Sequence, residues 1–161
     1  MSEAGKPNGD TGQGPQTVQI QILGQYVKDL SFENPGAPQM NPNARPQIDL
    51  GVELQSRSLD PSHFELELKL RVSAQADGKT MFLLELVYAG LILVQSAPPE
   101  ILQQILHIDV AHLIFPFARR IVADAIRDGG MPPLMIEPID FAAIHRARSA
   151  ENQTRPGAIP A

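Results

Sequence analysis

The chain has 161 residues, 43% of them apolar, a formal net charge of −5 at pH 7, fifteen prolines and neither cysteine nor tryptophan. That length fits one domain with a buried core, and the missing thiols exclude disulfides and every cysteine-ligated zinc or iron–sulfur centre. The acidic balance excludes the basic footprint of a nucleic-acid-binding protein and favours basic partners over DNA or an anionic membrane surface.

Residues 1–16 contain four glycines, two prolines and no large apolar side chain beyond Met1. Such a segment cannot offset the entropy of ordering, so a disordered tail is predicted. It lacks the apolar stretch of a secretory signal, which predicts a protein that stays in the cytoplasm. The folded unit is expected over residues 17–148, followed by a flexible tail over 149–161 with Ile159 as its one large apolar residue.

Four strands are predicted next. Val18, Ile20 and Ile22 open the first, which extends through Tyr26, Leu30 and Phe32 on the same parity. Ile48, Leu50, Val52 and Leu54 alternate with polar residues in the second, and Phe64, Leu66, Leu68, Leu70 and Val72 alternate with Glu65, Glu67, Lys69 and Arg71 in the third. A period of two marks a sheet with one buried and one wet face. The fourth, Met81 to Val94, is apolar on both parities, as for a strand covered on both faces. Asp77-Gly78 forms the hairpin turn before it, and a meander order is expected.

After Pro98-Pro99 the period becomes helical until Gly129-Gly130. Pro116 is expected at a kink or at the start of a second helix capped by Asp109, because inside a straight helix it costs about 3 kcal/mol or more. Between Ile101 and Ile126, 17 of 26 residues are apolar, more than one helix face requires. The surplus, including Leu113, Ile114, Phe115 and Phe117, implies a second buried surface supplied by another subunit. A last helix starts from Asp140 as N-cap and runs through Phe141 and Ile144 to about Arg148. The longest apolar run, Leu86 to Val94, is far short of the roughly 20 residues of a membrane span.

Little in this pattern looks catalytic. His107, Asp109 and His112 resemble a metal trio by composition, but on one helix, at roughly 100° per residue, they do not converge. No nucleophile elbow, P-loop or dinucleotide fingerprint occurs, and neither an enzyme activity, a cofactor nor a metal is predicted. Charge is more informative. Residues 17–100 hold ten acidic and six basic side chains, whereas 101–148 hold five of each. The acidity belongs to the sheet, whose exposed face would suit a basic docking partner.

Tyr26 to Pro35 (YVKDLSFENP), Phe82 to Leu86 (FLLEL) followed by Gly90, Ile114 to Arg119 (IFPFAR) continuing to Gly129, and Pro133 to Phe141 (PLMIEPIDF) occur in an order and at spacings similar to those of the SecB export chaperones. The resemblance covers essentially all of residues 17–145. It implies an α+β fold, a four-stranded antiparallel sheet followed by helices packed on one face, assembled as a dimer of dimers with the helices between the sheets. It implies an ATP-independent holdase that binds unfolded precursor proteins in the cytosol and delivers them to the SecA motor. It places SecA docking on Asp29, Glu33, Leu83 and Glu85, and the pleat puts Asp29 and Glu33 opposite Tyr26, Leu30 and Phe32. The resemblance further implies an interface between dimers near Leu84, Leu86 and Tyr88, residues that simple core accounts for equally well, joined by Leu113 and Phe117 of the over-apolar helix. The client groove is expected at Met40, Leu50, Val52, Phe141 and Ile144, without the family's usual aromatics. Two other readings follow from the same pattern: a SecB-like chaperone controlling a toxin–antitoxin pair, disfavoured by the four retained docking positions, and a small thioesterase-like enzyme, disfavoured because the helices follow all four strands.

Overall fold

A computed structural model describes residues 14, 16–39, 41 and 43–154. The predicted tails therefore lie largely outside the described residues, as does Met40. Four antiparallel strands, β1 (Gln19–Glu33), β2 (Gln47–Ser58), β3 (His63–Ala76) and β4 (Lys79–Gln95), are followed by α1 (Pro99–Gln104), a π-helical turn (Ile105–Val110), α2 (Ala111–Asp128) and α3 (Phe141–Thr154).

The sheet order is β1-β4-β3-β2. The expected meander holds for β2, β3 and β4 only. The β1–β2 connection crosses the sheet, and β1 pairs with β4 on the far side. At the β3–β4 hairpin Asp77 and Gly78 both adopt positive φ, 52° and 72°. That is the left-handed pair a tight two-residue turn needs, and glycine meets it without steric cost.

Alternate residues Phe64, Leu66, Leu68, Leu70 and Val72 of β3 and Phe82, Leu84, Leu86, Tyr88 and Ile92 of β4 are buried on one face. Ala111, Ile114, Ala118, Val122 and Ile126 of α2 complete this core. The helix comes close at Gly90, where a Cβ would lie 3.1 Å from Ile92 and 3.4 Å from Ile114. At the other end of α2 a Cβ on Gly129 would sit 2.7 Å from the Phe32 ring. Asn34 Nδ2 donates to the Gly129 carbonyl at 2.9 Å, which ties the end of β1 to the end of α2.

The helical run is continuous from Pro99 to Asp128, which corrects the expected Asp109 cap and the expected helix start at Pro116. Asp109 caps nothing, because it lies inside the π turn. Pro116 stands within α2, and the carbonyl four residues back, on His112, loses its donor. Both residues are exposed, so that carbonyl is left on the wet side of the helix where water can reach it. By length and composition this run could cross a membrane, but its buried stripe is the cover of the sheet. Asp140 does cap α3, accepting from the Ala143 N–H at 2.9 Å. The helix then runs to Thr154, past the expected end at Arg148, with Ser149 and Thr154 hydroxyls donating back to carbonyls one turn earlier.

Candidate binding surfaces

Register decides which side chains share a face, because directly opposed residues of an antiparallel pair point the same way. Asp29 faces Val87, Ser31 faces Glu85 and Glu33 faces Leu83. The four predicted docking residues thus lie together on the open face of the β1–β4 pair. Asp29, Glu33 and Glu85 are exposed and Leu83 is half-buried. Arg71 of β3 reaches Glu85 at 3.4 Å, so Asp29 and Glu33 carry the less compensated charge. A shallow depression beside them runs across the open face from Asp29 over Val87, Lys69 and Arg71 to Gly51 and Glu53.

Tyr26 corrects the parity argument. Register shifts after Ile22 and after Val27 insert Leu23 and Lys28 as bulge residues, and each bulge reverses the alternation. Between them Tyr26 opposes Ala89 on the open face and Val27 opposes Tyr88 on the helix face. Tyr26 therefore shares a face with Asp29. Its hydroxyl donates to Glu65, which Lys28 Nζ (3.1 Å) and Arg57 Nε (2.8 Å) also reach, while Lys28 contacts Glu67 at 2.5 Å. Glu65 is only 4% exposed. Burial pushes its carboxyl upward, but the hydrogen bonds from Tyr26, Lys28 and Arg57 outweigh that and hold it at about 2. The sequence contains no signal for this network, because Lys28 and Tyr26 reach Glu65 only through the bulges.

The predicted groove residues divide. Val52 and Ile144 line one depression with Leu54, Ala147, Arg148 and Glu151, between the outer edge of β2 and α3. Leu50 is exposed beyond it. Phe141 is fully buried, edge-on to Phe115 (5.8 Å between centroids) and to His112 (5.0 Å). It cannot line a groove and instead anchors α3. Arg148, absent from the expected groove, donates to the Leu54 carbonyl and clamps α3 to β2.

Of the two readings of Leu84, Leu86 and Tyr88, burial favours core. They are buried beneath α2 in the chain's own core and present nothing to a partner. Ile114 and Phe115 are likewise core residues. Leu113 and Phe117, at 50% and 46% exposure, form an uncovered apolar strip on α2.

The histidines do not assemble. Among the described residues no three His, Cys, Asp or Glu side chains could hold a metal. His107 is buried in the π turn with Nε2 2.9 Å from Ser56 Oγ, and the His145 ring packs edge-on against it. Burial, reinforced by the positive field of Arg148 and by His145, lowers its pKa to about 4. His63 pairs with Asp60 in the β2–β3 turn. Hydrogen bonds from the Ser62 N–H and the His63 ring and N–H hold the Asp60 carboxyl at about 2.

An open charged sheet face, a groove of mixed polar and apolar lining at the sheet edge and an uncovered helix strip describe an α+β protein with surfaces suited to binding other chains, as a chaperone requires. The family described as preprotein translocase subunit SecB matches residues 13–152. The chain belongs to the SecB family of protein-export chaperones. It is 46% identical to the protein-export protein SecB of Parvibaculum lavamentivorans, over 92% of each chain. It is 42% identical to that of Zymomonas mobilis, over 96% of this chain and 93% of the relative. Among solved structures it is similar to a SecB-like chaperone of Mycobacterium tuberculosis in complex with a peptide from the HigA1 antitoxin. That similarity has a TM-score of 0.65 and 20% identity, covers 74% of this chain and 90% of the other, and shows the common fold.

Proposed function

We propose that the protein is a cytoplasmic, ATP-independent holdase that binds unfolded precursor polypeptides and passes them to the SecA motor, working as a homotetramer built from two dimers. The observation that carries this reading is the separation of two surfaces by one sheet. Asp29, Glu33, Leu83 and Glu85 lie on the open face, whereas Val52, Leu54 and Ile144 lie on the helix side at the β2 edge. A client and a motor can then be held at once. Exposed Leu113 and Phe117 on α2 support the joining of dimers through the helices.

One buried client side chain contributes about 1.5–3 kcal/mol, against an association cost of about 4–15 kcal/mol. Several contacts must act together, and a long unfolded chain spread over four grooves supplies them. The wide peptide-length footprint favours non-native chains over folded ones.

Mixed with a chemically unfolded polypeptide at near-equal concentration, without nucleotide, the protein is expected to suppress the rise in light scattering. An unchanged rise would reject the holdase reading. Static light scattering of the protein alone should give the mass of four chains.

The docking patch has its own test. Asp29→Lys with Glu33→Lys should weaken SecA binding by about tenfold or more, since each reversal turns attraction toward a basic partner into repulsion. Client binding by the same variant, read by the scattering assay, should be unchanged. Equal loss of both would refute the division into two surfaces.

A further inference from the structure

Lys28 and Asp29 are neighbours in the chain, and in a regular strand they would point to opposite faces of the sheet. The register shift between Val27 and Asp29 leaves Lys28 as an extra residue, and its amine comes out on the open face. Its contacts show this: Lys28 Nζ lies 3.1 Å from Glu65 and 2.5 Å from Glu67, which oppose Leu91 and Ala89 on that face. Asp29, opposite Val87, stands on the same face. The bulge thus sets a cation beside a carboxylate that docking of a basic partner needs free.

The two do not pair. No ion pair among the described residues includes Asp29 or Glu33. Glu85 shows the alternative, since Arg71 of the neighbouring strand already reaches it at 3.4 Å. Lys28 instead extends from β1 toward β3. Ala89 of β4 lies between Tyr26 and Glu67 in the register, and its methyl group leaves room for longer side chains to cross above it.

Glu65 does not depend on Lys28 for a counter-charge. Arg57 Nε is 2.8 Å away, and the Tyr26 hydroxyl also donates. Glu67 is different, because Lys28 is its one ion-pair partner among the described residues. Two carboxylates bracket one amine, and Glu65 is buried where Asp29 is exposed, so water screens the attraction to Glu65 less. Both effects favour Lys28 on β3 over Lys28 on Asp29.

Resting on the docking reading above, we infer that Glu65 and Glu67 are positioning residues for the motor: they hold the Lys28 amine across β4 and off Asp29, which keeps its charge for a basic partner. Without them Lys28, adjoining in the chain and on the same face, is free to pair with Asp29, and a basic group of the motor must displace it before docking. Glu65 and Glu67 act through Lys28 and need not touch the motor.

Affinity for purified SecA, at one low salt concentration, is measured in a double-mutant cycle. Glu65→Gln with Glu67→Gln should weaken it about threefold or more. Adding Lys28→Met to that pair should restore most of the loss, whereas Lys28→Met in the native protein should change affinity by less than about twofold. The summed field of the charges would give Lys28→Met the same factor in both backgrounds, so unequal factors report the specific contact. Asp29→Asn should weaken binding in the native protein and have little further effect in Glu65→Gln/Glu67→Gln, where Lys28 has already neutralised that carboxylate. Suppression of scattering from unfolded polypeptide should be the same in every variant.

An equal factor for Lys28→Met in both backgrounds, or an undiminished effect of Asp29→Asn, overturns the positioning role and leaves the docking reading standing. If Glu65→Gln unfolds the chain, Glu67→Gln alone, which leaves Tyr26 and Arg57 on Glu65, carries the same cycle with the same criterion. Native protein that does not bind SecA, or binds it without regard to Asp29 and Glu33, overturns the docking reading as well.

Discussion

Phe141→Ala is expected to lower the stability of the folded chain by about 3–5 kcal/mol, the range for removing a fully buried aromatic side chain, and to release α3 before the rest unfolds. Phe141 has no exposed surface and meets Phe115 and His112 edge-to-face. It is the one buried residue of α3. Further along the helix, Ile144 is half-buried and Arg148 clamps the Leu54 carbonyl. These contacts are too few to hold a largely polar helix without the anchor. Urea unfolding gives the stability change, and amide exchange along α3 reports its local opening. A loss of less than about 1 kcal/mol, with α3 still protected, would show that the helix is held by contacts other than Phe141. Since α3 forms one wall of the groove beside β2, the same variant should also hold unfolded polypeptide less well.

Acid should weaken the fold in two separable steps. His107 titrates at about 4 in the folded chain against 6.5 when free, because burial, Arg148 and His145 all disfavour its cation. The unfolded state then binds more protons between those values, so stability is full above about pH 6.5 and falls as the pH drops toward 4. Glu65 titrates at about 2 against 4.5 when free. Its contribution is full above about pH 4.5 and is lost as the pH falls toward 2. A shift of this size corresponds to about 3 kcal/mol for His107, and to less for Glu65, whose partners Lys28 and Arg57 reach into solvent. Unfolding free energy measured against pH should therefore decline across both windows. His107→Gln should remove the upper step alone and Glu65→Gln the lower one alone. A stability flat from pH 7 to pH 4 would mean that His107 is not held neutral by its surroundings.

Much of the placement of the proposed docking residues was legible in the chain. Asp29 and Glu33 stand four apart on β1, with Leu83 and Glu85 two apart on β4, and period-two alternation alone puts each pair on one face. The bulge at Lys28 falls before Asp29, so the phase beyond it is unbroken and the expectation held there. It failed for Tyr26, which lies between two bulges. A bulge is one extra residue against a neighbouring strand, and nothing in β1 by itself marks where β4 will skip one. The groove was less legible. Phe141 is an apolar residue at the start of an amphipathic helix, a pattern that suits an accessible wall and a buried anchor equally.

By itself the sequence determined the four strands, the Asp77-Gly78 turn, the capped start of α3, the acidic character of the sheet and the excess apolar surface of the long helix. Each of these depends on residues close together in the chain, through alternation, turn geometry, capping or composition. Only the tertiary structure decided that β1 crosses over to pair with β4, that Tyr26 turns to the open face to meet Glu65, that the helix continues through Pro116, and that Leu84, Leu86 and Tyr88 are covered by their own chain while Leu113 and Phe117 are not. Those outcomes are set by contacts between residues far apart in sequence. The free energy that selects among them comes from burying one complete face of the sheet, a quantity that no local window contains.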